Sequence, residues 1–314
     1  MLSSPHAPRI ARSGALLVVL ALGFSAFTVG CADDGDAAAA ADGTEPLGIG
    51  KEVTVPISEA AATLVDAGAE PRAVLRPSYP VGTIQQVTLR TDHRIQQQIN
   101  DQPVRDFSTP QLTIPMTAQT DADGCDLTLG AVTSSDPALN RALTAADGSH
   151  AGFEFDDDGA ITALRLEPAA DTSNTARAAL EQAFYQAVYR SVRFPDEPVG
   201  EGAVWTVHQE VDGGVTLDQV TTATLTRREG NRLIIDLNVT QIPKSKVWTL
   251  PNNAGTLDIQ DYVMQGQGTI TVDLGLPLPV SGMITVGGHQ AYSDPHSDSD
   301  LQQTITTQVS WTEE

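Results

Sequence analysis

The densest gathering of side chains able to do chemistry is His289, Asp294, His296, Asp298 and Asp300. Imidazole and carboxylate groups are good zinc ligands. Their spacing here matches no ligand pattern, and Ser293 to Asp300 has the composition of a solvated hairpin loop. A loop without metal is the expectation. His93, His150 and His208 stand singly. Asp121-Ala122-Asp123-Gly124-Cys125-Asp126 starts like a calcium loop but lacks the third spaced oxygen ligand and the closing bidentate glutamate. It reads as a turn. Asp156, Asp157 and Asp158 are adjacent, with nothing apolar nearby to push two carboxyl pKa values apart, as paired acid–base work requires. No nucleophile elbow, H-E-x-x-H helix, P-loop or dinucleotide fingerprint occurs. The residues therefore point away from an enzyme, with no catalytic residue and no cofactor.

Charge narrows the partners. The chain of 314 residues carries 40 acidic and 18 basic side chains, a net charge of −22. That balance argues against nucleic acid and against charge-driven binding to anionic membrane. Only two cysteines occur, Cys31 and Cys125. Residues 1–30 read as a targeting leader: Arg9 and Arg12 are its charged part, and Gly14 to Phe27 is an apolar run short for a membrane span. The run ends in Thr28-Val29-Gly30-Cys31, which resembles the bacterial lipobox, departing from it at Thr28, where the family usually has Leu, Val or Ile. The resemblance implies lipidation of Cys31, a stable membrane anchor and an extracytoplasmic location. Lipidation of Cys31 would leave Cys125 without a disulfide partner, and a small buried hydrophobe is its expected role. Residues 31–50, rich in Ala, Asp and Gly, read as a flexible tether, and 51–314 as the ordered β-rich domain.

Within that domain the elements are organised around one helix, expected from Ser173 to Arg193. Ala176, Leu180, Ala183, Phe184, Ala187 and Val188 recur at three- and four-residue steps, and Tyr185, Tyr189 and Val192 form a second stripe. A second short helix is expected over Pro137–Ala146 behind Asp136, and a third over Ser58–Gly68. Nearly everything else alternates like strand. Asp158-Gly159 and Gly230-Asn231 mark tight reversals, and Thr256–Met264 and Gly268–Leu274 read as separate strands. The expected fold is mainly β (α+β): a curved antiparallel sheet or half-barrel, with one long central helix packed on its concave face. The stretches 75–168 and 195–312, joined by helix 173–193, are weakly alike, each opening on Pro-Val-Gly.

Phe194 to Val207, with Gly266-Gln267-Gly268-Thr269-Ile270 and Leu276 to Gly282, resembles a group of uncharacterised actinobacterial cell-envelope lipoproteins, a domain of unknown function. The wider arrangement is similar to lipoprotein-carrier and mycobacterial lipid-carrier half-barrels. Neither likeness implies an activity. The expected role is a non-catalytic one, structural or in binding an envelope protein, with the membrane reached through the anchor. The alternative is a hydrophobic ligand, a lipid or acyl chain, held in a crevice lined by Phe184, Tyr185, Val188 and Tyr189.

Overall fold

The computed structural model describes residues 52–156, 158–212, 214–250 and 254–314. Residues 1–51, where the leader, Cys31 and the tether are expected, lie outside the described residues. The chain is mainly β, built on one large antiparallel sheet flanked by two short helices. In its first part, β1 (Val53–Pro56) and β2 (Ala60–Asp66) precede the long β3 (Ile84–Ile99) and the two-residue β4 (Arg105–Asp106). Then come β5 (Thr109–Thr120), β6 (Gly124–Leu129), β7 (Thr133–Ser134), helix α1 (Pro137–Leu143), β8 (His150–Phe155) and β9 (Ile161–Glu167). Helix α2 (Asn174–Val188) separates these from β10 (Val204–Asp212), β11 (Thr216–Glu229), β12 (Arg232–Pro243) and β13 (Val247–Thr249). The chain closes with β14 (Thr256–Asp273), β15 (Ser281–Ser293) and β16 (Asp300–Glu313).

The main path runs β1-β9-β8-β6-β5-β3-β16-β15-β14-β12-β11-β10-β2. Two meanders therefore meet where β16 pairs with β3, from Leu301↔Ile99 to Glu313↔Val87. The first and last strands of the path are neighbours in sequence. Residues 57–59 alone join β1 on one edge to β2 on the other, so those edges lie within about 14 Å of each other. The short link holds those ends near each other, but β1 and β2 do not pair and the sheet stays open. The link is pinned on both sides: Ile57 N–H donates to the Thr162 carbonyl (2.8 Å), and Gln209 Nε2 donates to the Ser58 carbonyl (2.9 Å).

Three expectations are corrected. Residues 58–68 do not form a helix, because six residues of β2 pair along β10, and a ladder overrides the modest helix preference of an alanine run. Thr256–Met264 and Gly268–Leu274 are one strand, β14. Gly266 and Gly268 are not a break; they let β15 approach, since a Cβ on Gly268 would lie 2.2 Å from the Met283 carbonyl oxygen. The helix is shorter than 173–193. Ser173 caps it, its hydroxyl accepting from Ala176 N–H, but the helical run stops at Val188. The Tyr189 carbonyl, which a longer helix would pair with Arg193 N–H, accepts instead from Gln219 Nε2 (3.3 Å) and Arg190 Nη1 (3.3 Å). Ser191 Oγ turns back onto the Val188 carbonyl (2.9 Å). Side-chain bonds, one of them from the sheet, thus take over the last turn.

Other turns form where the residues predict them. Gly159 (φ 79°) reverses β8 into β9, and Gly230 (φ 64°) reverses β11 into β12, at angles only glycine adopts cheaply. Asp136 caps α1, accepting from Ala138 N–H (2.9 Å) and Leu139 N–H (2.7 Å). On β16, buried Leu301, Gln303, Ile305, Thr307, Val309 and Trp311 alternate with more exposed neighbours. β3 answers with Val87, Leu89, Thr91, His93, Ile95 and Gln97.

Candidate functional site

Helix α2 turns a packed face to the sheet. Ala176, Leu180, Ala183, Phe184, Ala187 and Val188 are all buried within the one core cluster. Of the four residues expected at a crevice, Phe184 and Val188 are each 1% exposed, Tyr189 is buried and Tyr185 is half-buried. The two tyrosine rings meet edge to face at 5.0 Å, and Tyr185 Oη donates to the Asp212 carbonyl. Burial raises both phenols above their ordinary pKa; at Tyr189, bonds to Tyr185 and Ser58 work against the rise. A void of about 10 Å³ beside α2 is lined by Leu129, Ser149, Leu166, Leu180, Glu181 and Phe184, among others. It holds no more than one water. Glu181 there is buried, which raises its pKa, while Arg177 (2.9 Å) opposes the rise.

Past the helix the chain carries two arginines into different settings. Arg193 spans Asp156 (2.7 Å) and Asp158 (2.8 Å), so those carboxylates are ion-paired at the tip of the β8–β9 turn rather than set apart for acid–base work. Arg190 is buried against Gln219 Oε1 (2.9 Å), with no carboxylate within ion-pair distance among the described residues. Burial pulls its guanidinium down to about 10, so it stays charged at neutral pH. Its cation sits at the C-terminal end of α2, where the helix dipole favours it.

Arg190 reaches a polar layer that the sequence reading missed. Gln97, Gln303 and Gln290 stand directly opposite one another on β3, β16 and β15. Gln241, Gln219 and Gln209 do the same on β12, β11 and β10. All six are buried. Gln241 Nε2 donates to Gln219 Oε1 (2.9 Å), and Gln290 Oε1 accepts from Tyr292 Oη (2.8 Å). Among the described residues neither amide atom of Gln303 has a partner, nor does His93 Nε2, while His93 Nδ1 lies 2.7 Å from Thr307 Oγ1. Burial lowers the His93 pKa to about 4 despite Asp92 beside it, so the ring is neutral at pH 7. The signal was available: the two-residue period of β3 places His93 and Gln97 on the face of Val87 and Leu89.

The opposite face of the same strands carries a groove of about 600 Å³. Asp92, Arg94 and Gln96 point outward from β3, alternating with buried His93, Ile95 and Gln97. Thr304 and Thr306 face outward beside them on β16. The far wall is the β4–β5 segment with Ser135. It stands off because the β3–β5 register shifts between Thr91 and His93, and β4 takes over pairing at Gln96 and Gln97. Ser108 Oγ, rather than a ladder carbonyl, accepts from Ile95 N–H (3.1 Å). Bulges of this kind recur beside binding sites because they re-aim side chains. Arg94 pairs with Asp92 (3.0 Å), and the Ser108 hydroxyl and amide hold the Asp106 carboxyl below the usual range.

The remaining sequence candidates are dispersed. Asp294 accepts from His296 N–H (2.8 Å) and Ser297 Oγ (2.7 Å), shaping its own exposed loop, while His289 pairs with Asp261 (2.8 Å). No group of three or more His, Cys, Asp or Glu side chains among the described residues is placed to hold a metal ion. Asp121 Oδ1 accepts from Asp123 N–H (2.9 Å) and Gly124 N–H (2.6 Å), which makes a turn of that segment. Cys125 is fully buried, and burial pushes its thiol up to about 12. No helix among the described residues is long and apolar enough to cross a membrane.

No protein-family profile matches the chain. Nor does any curated protein. Among solved structures, OmpT, an outer membrane protein of Vibrio cholerae, aligns over 74% of this chain and 100% of its own at 9% identity and a TM-score of 0.15. The binding domain of botulinum neurotoxin DC, in complex with rat synaptotagmin II, aligns over 82% and 93% at 8% identity and a TM-score of 0.13. At those scores the likenesses carry no argument about fold or function.

Proposed function

We propose that this chain is a lipid-anchored, extracytoplasmic cell-envelope protein with a non-catalytic role, structural or in binding a partner through its outer surface. One observation carries the role: the apolar face of α2 is packed into the core, while a groove of about 600 Å³ is polar and lies on the outer face of β3 and β16. In this reading the sheet is a half-barrel, α2 fills its concave side, and residues 31–50 are the tether. The lipobox-like Thr28-Val29-Gly30-Cys31 supports the anchor. The competing reading, a carrier of a lipid or acyl chain, draws on the half-buried Tyr185 beside Tyr189 at the helix end.

Two measurements test the proposal. Metabolic labelling with an alkyne fatty acid should mark the wild type, and Cys31→Ala should lose the label together with membrane retention. A processed, membrane-retained Cys31→Ala protein would overturn the anchor. Titration with a fluorescent fatty acid should give no saturable binding. Saturable binding that a bulky Ala187→Trp change abolishes would overturn the packed-interior reading in favour of the carrier.

A further inference from the structure

We infer that the outer groove on β3 and β16 is a binding site for neutral, hydroxyl-rich ligands, that is, for saccharide chains. The inference deepens the proposed outer-surface role and rests on it. The groove volume, about 600 Å³, falls within the roughly 300–1,000 Å³ usual for small-molecule sites. Its lining disfavours two other ligand classes. Pro110 is the one apolar residue in it, so an acyl chain would bury amides and hydroxyls against hydrocarbon with nothing to bond them. Arg94 is its one cation and is already paired with Asp92, while Asp106 adds a further negative charge, so a phosphate or nucleic-acid ligand finds no excess positive charge.

What the groove offers instead is a set of neutral groups that both donate and accept. Gln96, Gln111, Ser135, Thr304 and Thr306 converge on it, and none of these side chains has a hydrogen-bond partner among the described residues. Sugar hydroxyls also donate and accept, and a primary amide can meet two adjacent hydroxyls at once. The walls are held in place independently of any ligand. Ser108 ties the β4–β5 segment to Ile95, and Phe107 N–H donates to the Ile95 carbonyl (2.8 Å). No aromatic ring lines the groove to stack on a sugar face, so recognition rests on hydrogen bonds, and the affinity is weak and insensitive to salt.

The test is saturation-transfer NMR on the full-length chain in detergent micelles, with chitotriose and maltotriose as probes. Inositol hexakisphosphate and dodecanoate serve as comparison ligands. At least one saccharide should receive transfer that survives a tenfold rise in salt. Exposed Gln96 and Gln111, changed together to alanine, should weaken binding by roughly fivefold or more for each hydrogen bond lost. Thr304→Trp, at an exposed outward position, should block the groove outright, and unchanged thermal melting would show both variants folded. The inference is overturned if neither saccharide receives transfer, if both variants bind as the wild type does, or if the polyphosphate is the ligand the variants lose. Dodecanoate binding sensitive to Ala187→Trp, with saccharide transfer intact, would refute the packed interior and leave the groove standing.

Discussion

His93 makes the buried polar layer measurable. The residue is 8% exposed, its ring bonded through Nδ1 to Thr307 and without a partner at Nε2 among the described residues. Burial holds its folded pKa at about 4, against 6.5 for the ordinary group. The unfolded chain therefore binds the proton more readily. The stability this group contributes is fully present above pH 6.5 and is lost as pH falls toward 4. The whole shift corresponds to about 3 kcal/mol, of which ~2 kcal/mol is already gone at pH 5. The 40 acidic side chains also titrate in acid, so the quantity to measure is a double difference. Urea unfolding of the wild type and His93→Gln at pH 7.5 and pH 5 isolates the histidine, because glutamine keeps a hydrogen-bonding group near Thr307 but does not titrate. The wild type should lose roughly 2 kcal/mol more than the variant over that interval. Equal losses would show that His93 is not buried neutral, and that the register placing it inward between β5 and β16 is wrong.

Further consequences are simpler. Phe184→Ala should destabilise the fold by about 3–5 kcal/mol in urea titration, since its ring is in the core; a loss below about 1 kcal/mol would place it in open space instead. Gly230→Ala should cost only about 1–2 kcal/mol, because its positive φ is the sole obstacle, with nothing within 4 Å of the added Cβ. Gly288→Ala should prevent folding or shift β14, as that Cβ would lie 1.7 Å from the Val263 carbonyl oxygen, and melting temperatures separate the two glycines. Arg193→Ala should cost about 1 kcal/mol or less with little change in β-sheet content by circular dichroism, since both of its aspartates are solvent-accessible.

The strands were the legible part of this fold, and the reason is local. Alternation along β10, β12 and β16, and along β3 apart from buried Thr88, is regular because one face of each strand meets the core. Gly159 and Gly230 marked their turns because few other residues accept those angles. The misreadings fall where distant partners decide. Residues 60–66 have the composition of a helix, and only β10 makes them a strand. Tyr189 to Arg193 continue the helical pattern, and the bonds from Gln219 on β11, Arg190 and Ser191 to the last carbonyls replace it. Gly266 and Gly268 resemble a turn until β15 is seen to need the space their missing side chains leave. The outer groove was half visible: Asp92, Arg94 and Gln96 share a face by simple alternation. That Ser108, Gln111 and Ser135 arrive opposite them depends on a register shift that no local pattern encodes.

The central claim is that α2 is packed into the interior and that the protein acts through its outside. Native purification, organic extraction and mass spectrometry of non-covalently bound lipid test it most directly. The account predicts far less than one equivalent of extracted lipid per chain of the wild type. One equivalent of a defined lipid in the wild type, lost in Ala187→Trp, would contradict it.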